Sequence, residues 1–332
     1  VNLLWVALLA AGYARPEILV ETEWLAEHLH DPGIRIVDLR RGGLEDYAQG
    51  HVPGAVNLLN GAIRDPENPP TFLPSQQAFE KTMGGLGIGN DTRVVVYDER
   101  GGIYASRLWW ILNYFGHERV ALLNGGWVKW SAEGRPAATG EAPAVPAATF
   151  TARPHPRWLA TADDVLAAIG KPGTKIVDAR TTEEIEGREL RGIRRGGFIP
   201  SSIPVYWEDT FEPRLKTILP AEELRKLFSD RGILPEHKVI AYCQVGMRAS
   251  HDLFALYLLG YDNLQNYYGS WEEWGNREEL PIATLAKPPE PDSPLEKPGI
   301  KKPQRQGEDV REDSAVDHPG NQDTDEAEAL GV

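Results

Sequence analysis

Cys243 is the sole cysteine among 332 residues, and its neighbours are those expected of a nucleophile. It follows the apolar run KVIAY (238–242), which reads as a buried strand. It opens the loop CQVGMR (243–248), and the stretch ASHDLFALYLLG (249–260) behind it reads as a helix. A thiol at such a junction lies beside backbone N–H groups that lack helical partners, at the positive end of the helix dipole. That setting favours an anion, and the thiolate is the reactive form of cysteine. Arg248 adds a full positive charge at the far end of the loop, and Gly246 permits a turn that a side chain would resist. An inert, buried thiol is the ordinary role of a lone cysteine, but a polar, glycine-containing loop is a poor place for one. One cysteine also excludes an internal disulfide and any multi-cysteine metal site.

The elements that must present this loop occur twice. VVVYD (94–98) matches VIAYC (239–243), ASRLWWILNYFG (105–116) matches ASHDLFALYLLG (249–260), and LNGGWVKW (123–130) matches YYGSWEEW (267–274). Upstream, IRIVDLR (34–40) matches TKIVDAR (174–180), and HVPGAVNL (51–58) corresponds to FIPSSIPV (198–205). Blocks in one order at a nearly constant offset predict two copies of one fold. Short β-branched runs alternate with amphipathic stretches in each copy, the pattern of an α/β fold with a parallel sheet flanked by helices. Ligands of such sheets bind beyond the carboxyl ends of the strands, where Cys243 is delivered. The copies differ at that place. Asp98 stands in the first where Cys243 stands in the second, so only the second has a sulfur nucleophile. A carboxylate there is expected to repel an approaching anion.

The chain divides into an apolar extension (1–14), a non-catalytic domain (15–135), a Pro/Ala-rich linker (136–156), a catalytic domain (157–278) and an acidic, Pro-rich tail (279–332) expected to be disordered. Net charge is −14, which argues against a nucleic-acid or acidic-membrane binder. Twelve acidic and six basic residues lie from Pro281 onward, so the body carries about −8 and any anion site must be local. The extension is too short to span a bilayer; the expected location is cytoplasmic, with export as the alternative if residues 1–14 are a signal remnant.

The paired copies resemble the tandem rhodanese (thiosulfate sulfurtransferase) superfamily over roughly residues 13–278. HVPGAVNL (51–58) and YGSWEEWGN (268–276) resemble its two signatures, and Cys243 falls at its persulfide-forming position. The resemblance implies two rhodanese-like domains, a catalytic second domain and a cysteine-free first. FIPSSIPV departs from the usual Gly-Ala after the proline, with an expected structural effect only. The loop CQVGMR is closer to a bacterial branch that starts Cys-Gln and ends in Arg than to the common thiosulfate or mercaptopyruvate loops. Cysteine phosphatases of the Cdc25 type share the fold but place Arg after five intervening residues, whereas Arg248 follows after four. The resemblance implies that the shorter loop forms a tighter ring of amides suited to a terminal sulfur and the longer one encloses a phosphoryl group; one residue is worth up to ~3.5 Å of chain.

The implied reaction is transfer of a sulfane sulfur from a small anionic donor such as thiosulfate to Cys243, then to a thiol, cyanide or a sulfur-accepting protein. The alternatives are 3-mercaptopyruvate as donor, or a protein-partnered sulfur carrier or redox module. The amides of Gln244, Val245, Gly246, Met247 and Arg248 are expected to hold the persulfide, and Arg248 the donor's oxygens. Among the basic residues Arg188, Arg191, Arg194 and Arg195, Arg188 is the favoured donor contact, and Trp207 is a candidate pocket wall. Asp178 and Arg180, repeated as Asp38 and Arg40, are expected to brace the loop. His251 reads as helix surface. Nothing in the sequence points to a metal or an organic cofactor.

Overall fold

Five β-branched or aliphatic runs in each half pair into one parallel sheet. The computed structural model describes residues 12–69 and 72–285. The first sheet is built from β1 (Leu19–Val20), β2 (Ile34–Asp38), β3 (Val56–Asn57), β4 (Arg93–Tyr97) and β5 (Val120–Leu123), in the order β1-β5-β4-β2-β3. The second repeats that order with β6 (Leu159–Ala160), β7 (Thr174–Asp178), β8 (Ile203–Pro204), β9 (Lys238–Tyr242) and β10 (Leu264–Tyr267), as β6-β10-β9-β7-β8. All strand pairings within the two sheets are parallel. The central strands Val94–Tyr97 and Val239–Tyr242 are buried throughout, as strands covered on both faces must be.

The two halves share one core. Helix Ile103–Tyr114 (IYASRLWWILNY) and helix Met247–Leu258 (MRASHDLFALYL) are apolar on more than one side, and both are buried along nearly their whole length. They meet through Trp109, whose ring is edge-on to Phe254 at 5.3 Å, and Trp110 stacks on Tyr268 at 4.8 Å. Aromatic pairs of this kind contribute about 0.5–1.5 kcal/mol each beyond their buried area.

Several boundaries differ from those expected. The catalytic-side helix begins at Met247, two residues before the shared Ala-Ser, because Gly246 turns the chain at φ +75° and the helix starts inside the loop. Tyr13 and Ala14, assigned by sequence to the extension, dock on the second half: the Tyr13 hydroxyl donates to the Leu219 carbonyl (2.5 Å) and the Ala14 amide to that of Leu258 (3.1 Å). The first residues of the supposed tail are ordered too. Leu280 is buried, and Ala283 pairs antiparallel with Phe198. Residues 1–11 of the extension and 286–332 of the tail lie outside the described residues. In the FIPSSIPV segment, Ser201 adopts φ +64° where the first copy has Gly54 at +80°, so the departure retains the turn at the cost of a strained backbone.

Candidate active site

Cys243 directly follows β9 and is fully buried. Its backbone N–H donates to the Ser270 hydroxyl at 3.1 Å, and its carbonyl accepts from the Trp271 amide at 3.0 Å. One residue on, the Gln244 carbonyl accepts from the Glu272 amide at 3.0 Å. The loop is thus pinned by the segment that follows β10. Ser270 holds a left-handed backbone (φ +52°) where the first copy has Gly126. Sequence reasoning passed over Ser270, although the substitution of Ser for Gly between YYGSWEEW and LNGGWVKW was visible.

Gly246 fits its place for a second reason. A Cβ there would stand 2.3 Å from the Tyr268 ring, so the loop lies directly on that ring. The Gly246 carbonyl accepts from the Asn266 side chain (2.9 Å) and the Ser250 hydroxyl (2.9 Å). Among the described residues, the backbone N–H groups of Gln244 to Arg248 have no acceptor.

The first copy shows what such a ring of amides receives. Asp98 occupies the position of Cys243, and its carboxylate accepts from the amides of Arg100 (2.8 Å), Gly102 (2.8 Å), Tyr104 (2.7 Å) and Ala105 (3.0 Å). Burial raises its pKa, and the four amides pull it back. The carboxylate therefore does more than repel anions: it is the anion of its own ring. In the second copy Cys243 stands at that position, at the head of a loop one residue shorter.

Arg248 is placed differently from expectation. Its guanidinium is engaged fork to fork with Glu184, at 2.5 Å (Nη1–Oε2) and 2.7 Å (Nη2–Oε1), so both terminal nitrogens are occupied. Burial opposes the Arg248 charge, but Glu184 and the neighbouring Cys243 more than offset it and hold the group above its usual range. Burial likewise opposes ionisation of Glu184, and Arg248, the Thr181 amide and Arg191 together bring its pKa below the ordinary value. Glu184 is the missed residue of the site. Its local signal was the capping box, in which Thr181 and Glu184 close the first turn of helix Thr182–Ile185.

The other assignments separate. Arg188 is exposed and paired with Glu186 and Glu183, so it is a solvated surface charge. Arg191 reaches Glu184 at 3.0 Å and is the member of the basic stretch nearest the loop's ion pair. Arg195 caps carbonyls of Trp274 and Leu280. Trp207 is buried against Phe211 and His251 and packs under the helix rather than lining an open pocket. His251 is buried, not surface: its Nε2 lies 2.8 Å from the Thr210 hydroxyl, and burial lowers its pKa to about 4. Asp178 and Asp38 each grip the arginine two residues on and accept from a tyrosine hydroxyl, Tyr242 and Tyr97 respectively. Identical bracing in both copies belongs to the scaffold. No group of His, Cys, Asp or Glu among the described residues is arranged to hold a metal ion, and no helix among them is long and apolar enough to cross a membrane.

The Rhodanese-like domain family matches this sequence twice, over residues 21–133 and 161–277. The chain belongs to the rhodanese-like family. Its rhodanese-like relatives include the sulfur carrier protein TtuD of Thermus thermophilus, 38% identical over 82% of this chain and 98% of that one. A thiosulfate sulfurtransferase of Corynebacterium glutamicum is 37% identical over 82% of this chain and 92% of its own. A 3-mercaptopyruvate sulfurtransferase of Escherichia coli is 35% identical over 79% and 96%. The crystal structure of SseA from Escherichia coli superposes with a TM-score of 0.69 at 32% identity, covering 76% of this chain and 98% of that one. Sulfur transfer is the activity that fits this family.

One buried group in this rhodanese-like site has no counterpart in the other copy. Asp252, one helical turn past Arg248, is fully buried with both carboxylate oxygens unpartnered, where the first copy has Leu108. Burial, then Asp209 and Asp178, raise its pKa well above normal, against Arg248 and Arg231. A carboxyl whose folded pKa is raised stabilises least where the unfolded chain ionises it. Its contribution is whole below about pH 4 and is lost as pH rises toward the folded value. Asp252→Leu is expected to raise stability at neutral pH by about 1–3 kcal/mol. The gain in melting temperature should widen as pH rises from about 4. A variant that melts below wild type at neutral pH would show that Asp252 has a partner.

Proposed function

We propose that this protein is a thiosulfate sulfurtransferase working through a persulfide on Cys243. The Cys243 thiolate attacks the outer sulfur of thiosulfate, the S–S bond of the donor breaks, and sulfite leaves with the bonding pair. The Cys243 persulfide anion then gives its terminal sulfur to cyanide, yielding thiocyanate and the thiolate. Covalent catalysis of this kind predicts ping-pong kinetics. The observation that carries the reading is the pairing of the copies: the ring that holds the Asp98 carboxylate on four amides has Cys243 at the same position in the second domain. The amides of Gln244 to Arg248 in that second ring are the donors suited to a persulfide and to charge developing during transfer.

Relatives are named for both thiosulfate and 3-mercaptopyruvate, and the charge near the loop favours thiosulfate. Arg107, which has no ion pair among the described residues, and the partly exposed Arg64 stand beside the supports of the loop, a local positive charge that suits a compact dianion. Initial rates with each donor, at saturating cyanide, test the choice. Thiosulfate should give a kcat/KM at least about tenfold higher, a difference near 1.4 kcal/mol in transition-state binding. The reverse order would make the protein a mercaptopyruvate enzyme, and turnover with neither would favour a protein-partnered carrier.

A further inference from the structure

The domain without a cysteine sends a connected set of side chains to the Cys243 loop. Gly246 lies on the Tyr268 ring, and the Tyr268 hydroxyl accepts from Arg107 Nε at 2.6 Å. Arg107, buried in helix Ile103–Tyr114, also donates to the Ile63 carbonyl at 3.3 Å. The next residue is Arg64, whose guanidinium lies over the Phe72 ring at 4.2 Å and reaches Glu272 at 3.3 Å. The Glu272 amide closes the circuit on the Gln244 carbonyl. Arg64 is therefore held by both ends of its neighbourhood to the loop that carries the nucleophile.

The two arginines of this region and the loop differ in availability. Arg248 has both terminal nitrogens committed to Glu184 in a buried, bidentate pair. Besides the Phe72 ring, Arg64 makes one ion pair among the described residues, at 3.3 Å, with a carboxylate whose side chain is 35% exposed, and is itself 27% exposed. Single-contact, partly solvated ion pairs are weak and exchange readily. A donor with two or three anionic oxygens offers a guanidinium the bidentate geometry that Glu272 does not give it here.

We infer that Arg64 is a donor-recognition residue supplied by the first domain: it leaves Glu272 and binds the anionic oxygens of the incoming sulfur donor. This rests on the sulfurtransferase reading above and adds to it the residue that selects for charge. Binding is tested apart from turnover by titrating thiosulfate into Cys243→Ser protein calorimetrically, alone and with Arg64→Ala, Arg64→Lys or Glu272→Gln added. Arg64→Ala should weaken binding by about tenfold, the loss of one charge-assisted contact. Arg64→Lys should recover part of it, and Glu272→Gln should tighten it. In protein retaining Cys243, Arg64→Ala should raise KM for thiosulfate similarly while kcat falls less than about threefold. Thiosulfate affinity within about twofold of the parent in Arg64→Ala would overturn the proposal, as would no binding to the Cys243→Ser parent. Wild-type protein that binds thiosulfate through Arg64 but does not turn it over would overturn the function reading alone.

Discussion

Cys243→Ser is expected to abolish sulfur transfer, lowering kcat by more than ~10³-fold, because a serine hydroxyl neither ionises at neutral pH nor forms a persulfide. The change is nearly isosteric, and the loop is held by backbone bonds to Ser270, Trp271 and Glu272 that do not involve the thiol. Melting temperature should therefore stay close to wild type, which separates lost chemistry from lost fold. Steady-state assay with thiosulfate and cyanide, alongside a thermal melt, checks both. Activity at the wild-type level would remove every reading in which Cys243 carries the sulfur.

The second large effect concerns the Arg248–Glu184 pair. Arg248→Met leaves the Glu184 carboxylate enclosed with the half-exposed Arg191 as its remaining ion-pair partner among the described residues. Breaking a buried pair on one side costs about 3–5 kcal/mol, whereas removing both charges is often near neutral. Arg248→Met alone should destabilise strongly, and Arg248→Met with Glu184→Leu should recover most of the loss. The pH dependence carries a definite sign. Glu184 has a folded pKa below its unfolded value, so the pair's stabilisation is present above about pH 4.3 and is lost as pH falls through the folded pKa. The gap between wild type and Arg248→Met should accordingly narrow in acid. Denaturant melts of the three proteins at neutral and acid pH measure it; equal losses in single and double variants would mean the pair is not a unit.

Much of this site was legible in the chain because local pattern and internal duplication encode it. The run KVIAY placed β9 residue for residue, and the matched blocks implied the repeated strand order that the two sheets adopt. The Asp-x-Arg pairs were read as bracing because a copy without the nucleophile has them as well, and both copies show the same bonds. What escaped was tertiary pairing. Arg248 was assigned to the donor since nothing near it in sequence could claim it; Glu184 lies 64 residues upstream. Sequence favours Arg188 over Arg191 because charge alone does not reveal which arginine of a loop reaches the buried Glu184. His251 reads as surface because helix periodicity cannot register the Trp207–Thr210 turn of its own domain folding over the outer face, where Thr210, Trp207 and Phe211 surround it. The role of Asp98 as an internal anion needed the loop's folded geometry, in which four amides converge on one carboxylate.

Intact mass spectrometry of the wild-type protein after brief exposure to thiosulfate tests the covalent step most directly. A gain of one sulfur atom, absent in Cys243→Ser and reversed by cyanide, is the expected result. An unchanged mass in protein that is turning thiosulfate over would contradict a persulfide on Cys243.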